Sequence, residues 1–549
     1  MPADVEGPTS SPVAAAIGRH LGVLGGLVVA LPLLVAAGRV RLLDGYAPYA
    51  DIPLIELTVR DVGRHPVLVG AYSRFGWFHP GPLPFYLLAG PYRLLGSTAT
   101  SLLAAAALLN AATVVAVGWL ARRVAGLAGL GLVLAGTALV LHTVGGSQWV
   151  DPWNPSVVVL PFLLFVLAAW GFAAGDDLCL PVAVAAGTFC LQGHAGYLPF
   201  VGLVGATAAV GRVLWSRRAT SDGQPPHGEG AGGIEPRRRR LSLRLAVLVG
   251  VGVGVVLWLP PLVDQATTEP GNLRQILAFS RDVEPANTVA DGARFLAFEL
   301  GMPPAWLVGL PAPGWLNLID TSSPPVPFAA VGLAVVAVVA GVRRDRLGGR
   351  LVAVAAAALV AGVVAVARFA DGGVLPYLVE WSAIVGLVAW LAVALVGWRA
   401  LRPRLPEKVP MVVAGVVAAV VVATSVVNVS VALSAEPGDM ARGAEVRSLT
   451  DAIESDLDRR RPVAGVLAEP SGGVESLWTA NGIVAELERR GHDVRVPATE
   501  VVFGHRADPS GVDQVVGVRR LDGQVPRDWD GRQPVATAGD VAVYLDEPG

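Results

Sequence analysis

Lysine is nearly missing from this chain: Lys408 is the only one, and the rest of the 42 basic residues are arginine. Charge of either sign is scarce, at 16% of 549 residues, where an ordinary soluble domain carries about 25%. That shortfall excludes a soluble globular protein. The net charge is -2, so there is no basic excess to displace counterions from phosphates, and a nucleic-acid binder that works by charge is excluded too. Cysteine is limited to Cys179 and Cys190. They share one apolar run, in which a rise of about 1.5 Å per residue separates them by roughly 16 Å, too far for a bridge. The sequence contains no disulfide framework and no Cys/His spacing of the zinc type; no metal-ligand set is read from it.

What fills the chain instead is apolar: 53% of residues are hydrophobic and the mean hydropathy is +0.56. A hydrocarbon core about 30 Å thick takes about 20 apolar residues per helix. About eleven such runs begin near Leu21, Thr98, Val124, Ser156, Cys179, Tyr197, Leu241, Val326, Leu351, Trp381 and Val409. The first is followed by Arg39 and Arg41 without a small-residue cleavage site, so it reads as an anchor and not as a signal peptide. The expected fold class is a polytopic α-helical membrane protein. Cytoplasmic loops carry the arginine excess. Alternate loops hold Arg122 and Arg123; Arg217, Arg218 and Arg237 to Arg240; Arg343, Arg344, Arg346 and Arg350; and Arg399, Arg402, Arg404 and Lys408. Those loops are expected inside, with a flexible linker over 216–240. The chain is then a multi-pass plasma-membrane protein with a cytoplasmic N-terminus, and an odd number of spans puts everything after Leu433 outside.

Residues 1–433 are therefore read as the membrane domain and 434–549 as a small extracytoplasmic α/β domain. In the latter Val446, Leu449, Ile453 and Leu457 recur at helical spacing, as do Val474, Leu477, Val484 and Leu487. Residues 463–467, 494–496 and 541–545 read as strands. His492 and His505 stand alone there and read as solvated surface side chains. Two outer segments, 39–96 and 260–325, exceed the about 15 residues beyond which a loop is usually functional or disordered. The second, with Asp264, Asn272, Trp306 and Trp315, is expected to open on a turn from Pro260 to Gln265 and to be ordered by the apolar residues around Phe295 to Leu300. Against the charge rule, Arg39, Arg41, Arg60, Arg64, Arg74 and Arg93 lie in the first segment and Arg274 in the second. An outer arginine needs a partner: an anionic ligand whose phosphate oxygens match the guanidinium fork, lipid headgroups, or neighbouring carboxylates.

Residues 46–96 are the most informative stretch. Acidic and basic residues follow span one directly; next come an aromatic, Pro-rich turn and an amphipathic segment, Leu83 to Leu95, whose Phe85, Tyr86 and Tyr92 fit a helix lying at headgroup depth. A second polar stretch, Gln148 to Pro155, precedes span four. Asn154 and Pro155 read as its N-cap and first turn, which leaves Asp151, Trp149 and Trp153 unexplained. Gln192 to Tyr197 turn the chain on the same side and present His194, and a histidine at membrane depth is a functional candidate. His142 has no polar bracket in the sequence.

This arrangement resembles the GT-C class of bacterial and other integral membrane glycosyltransferases, which includes protein O-mannosyltransferases and lipid A aminoarabinose transferases. In that class the first outer loop opens on a catalytic Asp, passes through an amphipathic helix and reaches a His-Pro-Pro-Leu or Lys-Pro-Pro-Leu turn. Asp51 matches the acid, Glu56 to Val62 the helix, and His79-Pro80-Gly81-Pro82-Leu83 the turn. The chain departs from the pattern at Ile52, where many members have a second acid, and at Gly81 inside the Pro pair. The resemblance implies a glycosyltransferase that moves a sugar from a polyprenyl-phosphate donor to a glycan, lipid or protein acceptor of the cell envelope, on the outer face and with inversion. It implies Asp51 and Asp151 as catalytic residues; the candidates for binding the substrate are the outer arginines Arg60, Arg64, Arg74 and Arg274, which break the charge rule, together with His79, Trp153 and His194. It leaves a divalent cation open as a cofactor.

The chemistry suits these residue types independently. In an inverting transfer a carboxylate takes the acceptor hydroxyl's proton as the oxygen attacks the anomeric carbon opposite the leaving group. Polyprenyl phosphate leaves as an anion, so it needs arginine or a cation and not a second acid. For Asp51 the structural alternatives are a helix cap or an ion pair with Arg39 or Arg41, and Asp44 is the substitute base. For His79 the alternative is a hydrogen bond that orders the loop. Two rival functions are a transporter or flippase of lipid-linked saccharides and an inactive assembly partner. Transporters show paired broken helices and midplane charges; here the charge sits in outer loops, which favours the enzyme.

Overall fold

An apolar run that crosses a bilayer can satisfy its backbone groups internally as a helix, and the helices fall where the runs do. The computed structural model describes residues 12–221, 241–311, 317–459, 465–471, 473–521 and 533–546. The arginines at 237–240, the side chains of Arg217 and Arg218, and Trp315 lie outside the described residues. In chain order come α1 (Pro12–Val40), the helices α2 (Ile52–Asp61) and α3 (Leu83–Leu94) of the long first loop, α4 (Ala99–Val144), and the single turns α5 (Gly146–Trp149) and α6 (Asn154–Val157). There follow α7 (Val159–Ala173), α8 (Cys179–Gly193), α9 (Leu198–Ser221), α10 (Leu243–Thr267), α11 (Asn272–Asp282), α12 (Val289–Leu300) and α13 (Ala305–Val308). The membrane part closes with α14 (Phe328–Val342), α15 (Arg346–Ala367), α16 (Ser382–Leu401) and α17 (Lys408–Leu433).

Eight of these helices have the length and apolarity of a span, and α8 and α14 are shorter apolar ones. The 46 residues of α4 are two spans, because Gly126 adopts φ 69° and ψ -156° within it, a conformation open to glycine alone without strain. Eleven crossings result among the described residues, the number expected from the apolar runs. Small residues let α1 and α4 cross closely: a Cβ on Gly118 of α4 would lie 2.5 Å from the Gly22 carbonyl of α1, and one on Gly26 would lie 2.8 Å from the Val115 Cα. This is backbone-to-backbone packing of the kind that drives helix association in lipid. Leu248, Val251 and Val256 of α10 and Met411, Val412 and Val426 of α17 are exposed, as faces turned to lipid would be.

The connections after spans one, three, five, seven, nine and eleven meet at one end of the bundle. At the other end Arg123 pairs with Asp176, Arg212 with Asp177 and Arg399 with Asp345. Two local expectations are corrected here. Pro260 to Gln265 are not a turn, since α10 runs through both prolines to Thr267. The chain turns only afterwards, where Asp264 accepts hydrogen bonds from the Thr268 hydroxyl and the Asn272 backbone N–H. Asn154 is not an N-cap either: it lies inside the turn α6, and its amide nitrogen donates to the Gly193 carbonyl across the bundle.

After α17 the chain forms α18 (Met440–Leu457), β1 (Val466–Ser471), α19 (Val474–Arg489), β2 (Val494–Arg495), β3 (Gln514–Arg520), β4 (Ala536–Ala538) and β5 (Val541–Asp546). The sheet order is β2-β1-β3-β5-β4. β1 runs parallel to β2 and β3 with Val466 opposite Val494 and Gln514, and β5 runs antiparallel to β3 and β4. The core of this α/β unit is not made by the C-terminal residues alone. Ala47, Tyr49 and Leu57 of the long first loop are buried in it beside Val446, Ile453, Ile483 and Val516. Helices α18 and α19 grip the loop through glycines: a Cβ on Gly443 would overlap the Ala47 carbonyl, and one on Gly482 would stand 2.7 Å from the Pro48 carbonyl.

Candidate functional site

Asp51 stands immediately before α2 in the N-cap position, yet its side chain makes no cap hydrogen bond. Its Oδ2 instead accepts from the Trp153 indole N–H at 3.0 Å. The ion pairs weighed as alternatives are absent as well: Arg39 donates to the Leu433 carbonyl and Glu436, and Arg41 to the hydroxyls of Thr98, Thr100 and Ser101. The residue before it, Ala50, has φ 59°, a left-handed conformation that costs a residue with a Cβ roughly 1–2 kcal/mol. The Asn481 amide of α19 holds that carbonyl at 2.9 Å. The C-terminal unit thus fixes the backbone that aims Asp51. Asp44 is exposed and outside this arrangement.

Asp151 lies beside it. Its Oδ1 accepts from the Trp153 backbone N–H and its Oδ2 from the Ser156 hydroxyl, both at 2.9 Å. Asp151, which the sequence left without a capping role, therefore orders the turn that carries Trp153. The Ser156 hydroxyl also lies 3.4 Å from Oε1 of Glu380, in the connection between α15 and α16. Asp439, just before α18, accepts from the Tyr46 hydroxyl and the Tyr49 backbone N–H. Among the described residues none of these four carboxylates has a basic side chain within ion-pair distance. Burial accordingly raises them. Asp51 rises although the Trp153 bond opposes the shift. Asp151 is pushed up to about 6, Asp439 to about 6, and Glu380 to about 8 by burial with the Asp151 charge added. Of this pair, burial and the neighbouring charge favour the protonated form more strongly at Glu380 than at Asp151.

The ring of Trp153 packs on Tyr377 at 5.2 Å between centroids. The Arg74 guanidinium lies 5.9 Å from the Tyr377 ring and 5.0 Å from the Phe75 ring, in an ion pair with Asp371. Of the four arginines expected to meet a phosphate, Arg74 is the one this chain of contacts links to Asp51. Arg60 is mostly buried and engaged by Glu56 at 2.8 Å, Glu488 at 3.5 Å and the Tyr92 hydroxyl at 3.1 Å. Burial pushes Glu56 up, but Arg489 and Arg60 hold it below the usual carboxylate range. Arg274, 64% exposed, pairs with Glu269 at the start of α11, and Arg64 is exposed beyond the end of α2.

His79 and His194 come together with ring centroids 4.7 Å apart. Nδ1 of His79 accepts from the Ala195 backbone N–H and Nδ1 of His194 from that of Gly196, each at 3.1 Å. Burial lowers both, His194 to about 4 and His79 well below the ordinary imidazole value with its neighbour adding to the effect, so both rings are neutral with the proton on Nε2. These are bonds that order the two turns. The same junction explains Gly81: a Cβ there would lie 2.4 Å from the Gln192 side-chain oxygen, which accepts from the Leu83 backbone N–H. His142, without a polar bracket in the sequence, meets Asn428 at 3.0 Å.

Sequence reasoning did not reach Glu380, Asp439, Tyr377 or Asn481. Glu380 follows an apolar run and nothing beside it marks chemistry; only the fold brings it to Ser156. Oxygen donors such as Asp151 and Glu380 have the chemistry of a hard-cation site. Among the described residues, however, the three-ligand groups that converge reduce to Asp61, His65 and His505.

No family model matches the chain, and no curated protein matches it in sequence. Its fold is shared by solved structures of ArnT from Cupriavidus metallidurans. The crystal structure bound to undecaprenyl phosphate superposes with a TM-score of 0.54 at 14% identity, covering 96% of this chain and 98% of that one. The apo structure gives 0.51 at 14% identity, covering 97% and 98%. The chain is thus a multi-pass membrane protein with an ArnT-like fold.

Proposed function

We propose that this ArnT-like chain is a glycosyltransferase that moves a sugar from a polyprenyl-phosphate donor to a cell-envelope acceptor on the outer face of the plasma membrane, with inversion. The observation that carries the reading is Asp51: a carboxylate in the cap position that does not cap, aimed by Trp153 and raised by burial. A base with a raised pKa drives proton transfer better, as long as it stays ionised at the working pH. The donor class rests on the ArnT-like fold, since one ArnT structure carries undecaprenyl phosphate.

In this mechanism the acceptor hydroxyl gives its proton to Asp51 while its oxygen forms the new bond to the anomeric carbon. The bond from that carbon to the phosphate oxygen breaks on the opposite face, and its electron pair leaves with polyprenyl phosphate. Asp151 holds the turn that carries Trp153, with its charge beside the base. Arg74 leaves Asp371 to take up the growing charge on the phosphate, a charge-assisted contact. Arg64 and Arg274 are exposed and reach the donor only at its margin; Arg60 holds α2 to α19 and does not touch it. Trp153 and Tyr377 present ring faces to the sugar, and His79 and His194 shape the floor. The acid end of the bundle is the outer one, which leaves the N-terminus in the cytoplasm. A divalent cation has no step in this scheme.

The test is incubation of membranes containing the chain with a panel of labelled polyprenyl-phosphate sugars. Release of unlabelled polyprenyl phosphate with label in an envelope acceptor supports transfer. Movement of intact donor across the membrane without release supports the flippase reading instead.

A further inference from the structure

Beyond the carboxyl end of α2, the first outer loop and the C-terminal unit enclose a cavity of about 200 Å³. At about 1.5 Å per residue, the ten residues of α2 put it roughly 15 Å from Asp51. Asp61, His65 and His505 meet at its wall, each offering a ligand atom, and these atoms all lie within 4.8 Å of one another. The imidazoles of His65 and His505 stack at 3.7 Å with planes 14° apart, which corrects the reading of His505 as a lone surface side chain. Nδ1 of His505 is 3.5 Å from Oδ2 of Asp61. Residues 440 positions apart in sequence thus turn their polar edges to one carboxylate.

We propose that Asp61, His65 and His505 bind a divalent transition metal of the zinc class, tying the end of α2 to the C-terminal unit. Two imidazole nitrogens and one carboxylate oxygen suit zinc-like ions, and three protein ligands leave a fourth position for water. Arg506 holds Asp61 at 2.8 and 3.0 Å, but a carboxylate has about four lone-pair positions, so the guanidinium orients it without filling it. Of the cations around the cavity, Arg506 also pairs with Glu488, Arg60 with Glu56 and Glu488, and Arg495 with Asp493, while Arg64 is exposed to solvent. His65 is exposed and the His505 side chain is 38% exposed, so an ion can enter from solvent. The two histidines lie on opposite sides of the boundary between loop and C-terminal unit, so the metal would add a link between chain segments that already meet through the ion pairs of Arg506, Arg60 and Arg489, the Asn481 hydrogen bond and apolar contacts. This inference does not depend on the glycosyltransferase reading.

The test uses the full chain purified in detergent, stripped by a chelator and carrying no polyhistidine tag. Cobalt(II) titration should develop visible d–d absorption with one equivalent bound, and zinc(II) should displace it. His65→Ala and His505→Ala remove exposed side chains, so they should leave the fold intact while weakening cobalt binding by about tenfold or more. Zinc should raise the Tm of the wild type and not that of the double variant. An unchanged titration in the double variant, or no cobalt spectrum in the wild type, overturns the proposal.

Discussion

At the scale of single residues, the account rests on what a hydrogen bond does to a carboxylate. The Trp153 indole favours the ionised form of Asp51 against burial. Trp153→Phe removes the donor and keeps most of the ring, so the Asp51 pKa rises and the acid limb of the rate profile moves to higher pH. A bond to a charged group contributes about 1.5–3 kcal/mol, so transfer at neutral pH should fall by roughly ten- to a hundredfold; a pH profile of transfer by the two proteins checks both. Asp151→Asn removes a like charge and should move the same limb to lower pH. Glu380 gives a prediction of stability. Its folded pKa of about 8 lies above the ordinary carboxylate value, so the folded state binds more protons in between, and that stability is present at low pH and lost as pH rises through about 8. Thermal melts of Glu380→Gln should therefore fall less from pH 6 to pH 9 than those of the wild type. Of the arginines, Arg74→Ala should slow transfer by roughly ten- to a hundredfold, whereas Arg274→Ala should leave it near wild type. Kinetics on those two variants decide between them.

At the scale of elements, the start of α2 is held by a neighbour distant in sequence. Ala50 keeps its left-handed φ because Asn481 takes its carbonyl and Gly443 and Gly482 let α18 and α19 close on residues 47 and 48. Asn481→Ala should cost about 0.5–1.5 kcal/mol of local stability and lower the transfer rate without changing donor affinity; Ala50→Gly in the same background, which relaxes the backbone, should not restore it. Separate measurement of rate and donor binding checks this. The sequence made α3 legible through its aromatic and apolar spacing, whereas α2 was legible only through the resemblance that matched Glu56 to Val62 to an amphipathic helix. It could not reveal the clasp, because Asn481 sits in an ordinary helical pattern. β3 was missed for a related reason: its Gly517, Arg519 and Arg520 dilute the apolar alternation, and burial between β1 and β5 decides its state.

At the scale of the molecule, the eleven spans were legible because each run needs about 20 apolar residues and little else. The break in α4 was legible as two runs. Composition changes at 433/434, but composition cannot show that residues 47–57 share the core of the unit that follows it. The outward placement of the acid end remains a topology to measure: a reporter active only outside the cytoplasm should be active after Gly549 and silent after Arg238. The most direct measurement of the central claim is transfer from a labelled polyprenyl-phosphate sugar by Asp51→Asn and Asp44→Asn, each with donor binding measured on the same preparation. The amide keeps the shape of Asp51 and its contact with Trp153 but cannot take a proton. The account predicts donor binding near wild type in both, transfer abolished in Asp51→Asn and largely kept in Asp44→Asn; transfer retained by Asp51→Asn would contradict it.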